Sequence, residues 1–458
     1  MLDRTGVVGK RNMNSLHTEQ TAINKHHSDY HDDFGFIDRR YIESSPMEKY
    51  HLAALDSYQQ LPFPSHKDEA WRRTSLRGLD FDLLNLVSNK KEKKYFEDNS
   101  SEYSAKLILS GNATTQVVNN NFASEQLIFT DFQSAAYEYP KLISSLLSRI
   151  VKPNDGKFVA LTAAFAQQGV FLYVPKDLRI ELPVYSIIEG INSSDALFSH
   201  LLIWLEEGAS ITYLHEYSSS QYHDQKQSFH GGIVELYIGE NASLKFVEIQ
   251  KFGKNVWSVT HERAQLQKNA HLDWFYGAFG SEVSKNFIDA DLIGKNATAN
   301  INGLYLCDGN QHIDLDTQQN HLETSTTSNL KFKGALFDES YAAWQGMVYV
   351  SPLAINTDGY QSNDNLILSG QAHARSIPGL EILADDVKCS HGATVSRLND
   401  DELFYLQSRG ITTAEAEKLI VKGFFSELTN QIQDETIKKK VEKLTDIKIE
   451  SRKSLLTH

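Results

Sequence analysis

Four short corners recur along the middle of this chain and restrict its fold more than any other feature. They read Gly208-Ala209-Ser210-Ile211, Asn241-Ala242-Ser243-Leu244, Asn269-Ala270-His271-Leu272 and Asn296-Ala297-Thr298-Ala299. Each opens a strand-like run, and their alanines lie 33, 28 and 27 positions apart. A period of roughly 20–50 residues marks a solenoid. Gly and Asn tolerate the left-handed backbone of a sharp corner, and a small Ala fits inward where neighbouring turns crowd. From about residue 157 to 390, runs rich in Val, Ile, Leu, Phe, Tyr and Trp alternate with Gly/Asn/Asp/Ser corners, and no helical period persists. The pattern predicts a β-helix of about eight to ten coils, each burying its inner face against the coils above and below. On the pattern alone, a β-sandwich with coincidental Asn-Ala corners competes evenly.

The flanks read differently. Residues 35–156 form a mixed, largely helical region, with helices over Met47 to Tyr58 and Tyr139 to Ile150 and short strands over Ala105 to Leu109 and Gln126 to Phe129. In the second helix Leu142, Leu146 and Ile150 recur at helical spacing, and Pro140 sits in the first turn, where it is tolerated. Residues 1–34 are polar and weakly patterned; their histidines read as part of a solvated tail rather than a metal site. Beyond 398 the chain turns helical. Asn399 with Glu402 and Thr412 with Glu415 read as capping boxes, and Gly410 between them as a left-handed helix stop. The second of these helices aligns Ala416, Leu419, Ile420, Phe424, Leu428 and Ile432 on one face. Lys438 to Lys440 and the end of the chain read as a solvated charged tail. The expected division is therefore 1–34 tail, 35–156 lead region, 157–397 β-helix core and 398–458 helical domain.

Composition excludes several function classes. Net charge is −14, from 45 basic and 59 acidic residues, which argues against a nucleic-acid partner needing a clustered basic surface. Two cysteines in 458 residues exclude a disulfide framework and fit a reducing compartment. No stretch approaches the roughly 18 apolar residues of a membrane span, and the first 30 residues lack the apolar core of a signal peptide. The expected location is the cytoplasm. Catalytic signatures are missing from the sequence. The Gly-Lys pairs at 9–10, 156–157, 253–254 and 294–295 lack the rest of a phosphate loop. Gly277-Ala278-Phe279-Gly280 lacks the dinucleotide spacing, and neither His-Glu-x-x-His nor Gly-x-Ser-x-Gly occurs. Asp314 and Asp316, two apart, read as a solvated strand face rather than the lining of a polysaccharide groove.

One motif carries chemistry. In Lys388-Cys389-Ser390-His391-Gly392-Ala393-Thr394 the thiol and the imidazole are two residues apart, so an extended backbone aims both to one face. Thiolate and imidazole suit iron, zinc and iron–sulfur centres. Taken alone, the commoner reading is a buried small hydrophobe beside an unrelated histidine. The motif, however, runs on into Arg397-Leu398-Asn399-Asp400-Asp401-Glu402-Leu403-Phe404-Tyr405-Leu406-Gln407-Ser408-Arg409-Gly410-Ile411 and then Thr412 to Phe424. Two further segments accompany it: Leu61-Pro62-Phe63-Pro64-Ser65-His66-Lys67-Asp68-Glu69-Ala70-Trp71-Arg72-Arg73-Thr74, and Val159 to Ala166 continuing through Gly169 to Pro175. On these segments the chain resembles the SufB/SufD family of iron–sulfur cluster assembly proteins over roughly residues 50 to 430. The cysteine-histidine motif and the Trp71 segment resemble the SufD branch more closely than SufB.

The resemblance implies a mainly β fold: a right-handed parallel β-helix core between an N-terminal mixed, largely helical domain and a C-terminal helical domain. It implies a non-catalytic scaffold subunit that pairs with a SufB-like chain through the β-helices, with a nascent cluster forming where they meet. It also implies that a SufC-like ATPase binds the helical C-terminal region, and it leaves open whether a reduced flavin joins the complex. Protein-held clusters generally take four ligands, mostly thiolate, and Cys307 and Cys389 stand 82 positions apart. Any cluster ligated here therefore draws its remaining ligands from another chain or from solvent. Carried over by residue, His391 is the first candidate ligand or proton carrier, and Cys389 the second. Cys307, in Leu304-Tyr305-Leu306-Cys307-Asp308, reads as a buried strand residue. Phe404, Tyr405, Arg409, Leu419 and Phe424 are the candidate ATPase contacts. Open strand edges invite pairing, so a homodimer is expected when the chain is made alone. Two competing classes are a β-helix carbohydrate-active enzyme, which would want a secretion signal, and a stand-alone homodimeric binding module. Retention of SufB-like and SufC-like chains on purification separates them from the scaffold.

Overall fold

The computed structural model describes residue 42 and residues 47–87, 92–95, 102–110, 113–118, 127–166, 168–219 and 226–451. The expected tail over 1–34, and Gln126 of one expected strand, lie outside them. From Gln168 to Arg397 the chain winds as a parallel β-solenoid of eight turns, each giving one strand to each of two sheets. The first turn pairs Gln168–Val174 with Val184–Ile191; the second, Asp195–Leu205 with Ser210–Ser219; the third, Ser228–Ile238 with Ser243–Lys251. The fourth joins Val256–Leu266 to His271–Ala278, the fifth Val283–Leu292 to Thr298–Cys307, and the sixth His312–His321 to Thr327–Leu336. Tyr341–Val350 with Asp358–Ile367, and His373–Ile382 with Lys388–Arg397, complete the stack. The lead region extends both sheets, since Ala105–Ser110 pairs parallel with the first turn and Ile128–Asp131 antiparallel with it.

The corner repeat has a direct backbone cause. Gly208, Asn241, Asn269 and Asn296 all take positive φ, between 54° and 71°, and the alanines after them are buried. The same corner continues at Ser325, Asn356 and Asp386 and begins at Asp177, all left-handed; the sequence disguises these by replacing the alanine with Thr326, Thr357, Val387 and Leu178. The asparagines also form a ladder, Asn296 Nδ2 donating to Asn269 Oδ1 at 3.1 Å and Asn269 Nδ2 to Asn241 Oδ1 at 2.9 Å. Asn269→Ala is expected to cost about 1–2 kcal/mol, because it loses the left-handed preference and the ladder together. Asn269→Gly should cost less, and denaturant titration of the two variants ranks them.

Along most of the solenoid both sheets are covered on both faces, so their strands read as apolar runs rather than as alternation, whereas the two strands of the last turn bury none of their residues. The interior holds Leu172 and Val174 in the first turn, then Tyr213, Phe246, Trp274, Ile301, Leu330 and Trp344 further along. Helices α1 (Glu48–Gln60), α2 (Phe132–Glu138) and α3 (Pro140–Leu146) belong to the lead region, and α4 (Lys157–Phe165) follows it, ahead of the first solenoid strand. Of these, α1 and α4 cover the outer face of the first sheet at Phe198, Phe229, Trp257 and Phe287. Beyond the solenoid come α5 (Asp400–Ser408), α6 (Thr413–Thr429) and α7 (Glu435–Ser451). The last two lie on the outer face of the second sheet at Leu214, Ile249, Leu304 and Ala335.

Four local expectations need correction. The helix expected over Tyr139 to Ile150 stops at Leu146, because Ser148 turns left-handed. The Ile150 and Val151 amides then donate to the buried Glu235 carboxylate at 3.2 and 3.0 Å. The Asn399 cap is real, but its side chain accepts from Asp401 N at 2.9 Å, not as a box with Glu402; the Thr412–Glu415 box forms as expected. On α6 the buried face is Ala416, Val421, Phe425, Leu428 and Thr429, with Leu419 turned to solvent. Residues 438–440 are not a solvated tail. They lie in α7, which buries Ile437, Val441, Thr445 and Ile449 and sets two lysines against buried carboxylates. Lys440 meets Glu216, and Lys448 meets Asp308.

Candidate functional site at the open end of the solenoid

Stacking in register carries the inward-facing side chains up the solenoid in columns. One column of the second sheet runs Tyr213, Phe246, Trp274, Ile301, Leu330, Gln361, His391. Gln361 is fully buried and reaches across to the other sheet, its Nε2 donating to Gly379 O at 2.8 Å. His391 occupies the next step of this column, but among the described residues no turn lies above it. It is therefore exposed where its predecessors are enclosed. The last strands, His373–Ile382 and Lys388–Arg397, each end their sheet, leaving one row of backbone donors and acceptors without a neighbouring strand among the described residues. Ile382, Leu383 and Val395 are exposed apolar residues at this end.

Cys389, two residues before His391, shares its inward face, as the extended spacing requires. It is half-buried against Val348, Val350 and Ala354, and burial pushes its thiol up, so it rests protonated at neutral pH. Beneath it Gly359 allows a close approach: a Cβ there would crowd Val348 Cγ1 at 3.1 Å and both Cys389 Sγ and His321 Nε2 at 3.3 Å. His321 was not legible as a neighbour of Cys389, since only the register of two sheets brings it there. Its ring is buried, bonded to Thr326 and Ser328 hydroxyls at 2.8 Å each, and burial lowers it to about 4, hence neutral.

Cys307 is a fully buried strand residue, as read from the sequence, and burial drives its thiol to about 12. It sits eight residues along the strand from Ala299, which lies in the column of Cys389. At the strand rise this is about 26 Å, so the two cysteines do not meet. Among the described residues, no three His, Cys, Asp or Glu side chains are grouped to hold a metal ion, and no helix is long and apolar enough to cross a membrane.

The candidate ATPase contacts divide into two sets. Helix α5 buries none of its residues; Phe404 is 71% and Tyr405 58% exposed, with the Arg409 guanidinium 5.2 Å from the Tyr405 ring. Leu419 on α6 is 51% exposed. Phe424 instead packs the cap, with Lys333 Nζ 4.8 Å from its ring. The Trp71 segment lies against the first sheet: Trp71 stacks on Phe158 at 5.3 Å, and Thr74 Oγ1 donates to Asp314 Oδ2 at 2.5 Å. Lys285 Nζ donates to Asp314 Oδ1 at 2.9 Å. Asp314 and Asp316 are thus buried rather than a solvated face.

Fold and site together define a parallel β-solenoid with helical flanks and an unpartnered last turn. Comparison with known proteins makes this specific. Residues 187–424 match the family model "SUF system FeS cluster assembly, SufBD core domain", and residues 23–185 match "SufBD protein N-terminal region". The chain belongs to the SufBD family of iron–sulfur cluster assembly proteins. It is 27% identical over 355 residues to the iron-sulfur cluster assembly protein SufB of Bacillus subtilis, covering 77% of this chain and 74% of that one. It is 27% identical over 352 residues to an iron-sulfur cluster assembly SufBD family protein of Staphylococcus saprophyticus and 26% identical to one of Staphylococcus epidermidis, with the same coverage.

Proposed function

We propose that this chain is the SufD-type, non-catalytic scaffold subunit of a cytoplasmic cluster assembly complex. The solenoid pairs through its open last turn with a SufB-like β-helix, and with a second copy of itself when made alone. His391, with Cys389 beside it, serves the nascent iron–sulfur cluster at that junction, the partner chain supplying further ligands. The observation that carries this reading is the exposed His391 at the end of an otherwise buried inward column. The imidazole at that step faces whatever closes the solenoid, and the Cys389 thiol two residues away adds a second soft donor once it gives up its proton to bind the metal. The SufC-like ATPase docks on the exposed residues of α5 and α6, with the helical domain of 398–458 as its platform, the core of 157–397 as the pairing unit and 35–156 as the cover of the first sheet.

The test is co-expression of the tagged full chain with SufB-like and SufC-like chains. The wild type should retain both. Phe404→Glu with Leu419→Glu should lose the ATPase chain, keep the SufB-like chain and leave Tm unchanged, since both positions are exposed. Retention of the ATPase by this double variant removes α5 and α6 as its platform, and capture of neither chain by the wild type refutes the scaffold reading.

A further inference from the structure

The interior of the solenoid is not uniformly apolar. In its third and fourth turns Glu248 and Glu262 project inward from opposite sheets, each 1% exposed. The two carboxyl groups are within hydrogen-bonding reach of one another. Glu262 Oε1 accepts from Thr260 Oγ1 at 2.5 Å, and Thr260 Oγ1 in turn accepts from Asn286 Nδ2 at 2.7 Å. Ser284 Oγ donates to Asn286 Oδ1 at 2.7 Å, completing the chain of hydroxyl and amide groups behind Glu262. Oε2 of Glu248 and Oε2 of Glu262 have no donor among the described residues. Ionised carboxylates only accept hydrogen bonds, so two of them facing each other in a dry interior require a proton between them.

We propose that Glu248 and Glu262 form a proton-binding site inside the solenoid, Glu248 carrying a proton that it donates to Glu262 across the neutral pH range. Thr260 and Asn286 stand behind Glu262 and suit it to accept, against the single Trp274 indole beside Glu248, which leaves Glu248 as the acid. The titratable groups facing the pair supply no compensating charge. His215 and His230 are fully buried and held neutral, burial lowering each to about 3. Tyr217 and Tyr276, both buried, stay protonated, and Asp289, on the far side of the sheet, only adds negative potential. Burial also pushes Glu248 well above the usual carboxyl range and Glu262 up to about 7, in keeping with a dyad that never loses both protons near neutrality.

Infrared spectra of the full chain at about pH 8 test the site, because exposed carboxyl groups are ionised there. The carbonyl stretch of a protonated carboxylic acid should persist in the wild type, disappear in Glu248→Gln and survive in Asp291→Asn, which removes another buried carboxyl whose value burial raises. Absence of the band from the wild type overturns the proposal, and needs no variant to fold; so does its survival in Glu248→Gln. Proton linkage provides a second readout. A carboxyl raised on folding stabilises the folded state at low pH and loses that contribution as pH rises from about 4.3 through about 7. Tm should therefore fall across that window less steeply in Glu262→Gln than in the wild type, and an equal slope contradicts the site.

Discussion

Val441→Asp should release α7 from the solenoid and lower stability by about 3–5 kcal/mol, the usual cost of an uncompensated buried charge. Val441 is fully buried in the seam with Ile437 and Ile449, against the second sheet. Its neighbours Lys440 and Lys448 bind carboxylates that other lysines already hold, Lys251 meeting Glu216 at 2.7 Å and Lys254 meeting Asp308 at 2.6 Å. None is placed to neutralise a new carboxylate in the apolar seam. The expected signs are a lower Tm, reduced helical circular dichroism and new proteolysis between 430 and 434. An unchanged Tm with α7 still protected would contradict the docking.

The same clamp fixes an acid limb. Burial alone would raise the Glu216 and Asp308 carboxyls, but Lys440 and Lys251 at the first, and Lys448 and Lys254 at the second, outweigh it and hold both below the usual range. Groups lowered on folding contribute stability that is present above the unfolded carboxyl value and lost as pH falls through the folded one. The wild type should therefore shed α7 in acid, below about pH 4, whereas Val441→Asp has already lost that transition.

Much of this architecture was legible because the solenoid corner is a backbone requirement written in side chains. Gly208, Asn241, Asn269 and Asn296 announce it, and the turns they bound fall where the period puts them. Its first and last occurrences were hidden because Leu178, Thr326, Thr357 and Val387 fill the place of the small alanine. Helix α7 was misread for a different reason. Its lysines suggested solvent, while Ile437, Val441 and Ile449 carry the helical period that buries it. For the site, Cys389 and His391 were readable as a pair from their spacing alone. The approach of His321 and the meeting of Glu248 with Glu262 depend on which turns stack and in which register. No local pattern encodes such contacts.

The central claim is that the open end of the solenoid serves the cluster through His391. The most direct measurement is the cluster content of the co-expressed complex carrying His391→Ala, set beside thermal melting of the variant chain. The His391 side chain is exposed and hydrogen-bonds to none of the described residues, so stability should stay within about 0.5 kcal/mol of wild type. The complex should still assemble, yet hold about tenfold less cluster or worse, as expected when a donor to a metal centre is removed. Cys389→Ala, measured alongside, shows whether the thiol shares the work. A lowered Tm with normal cluster loading in His391→Ala would contradict the account.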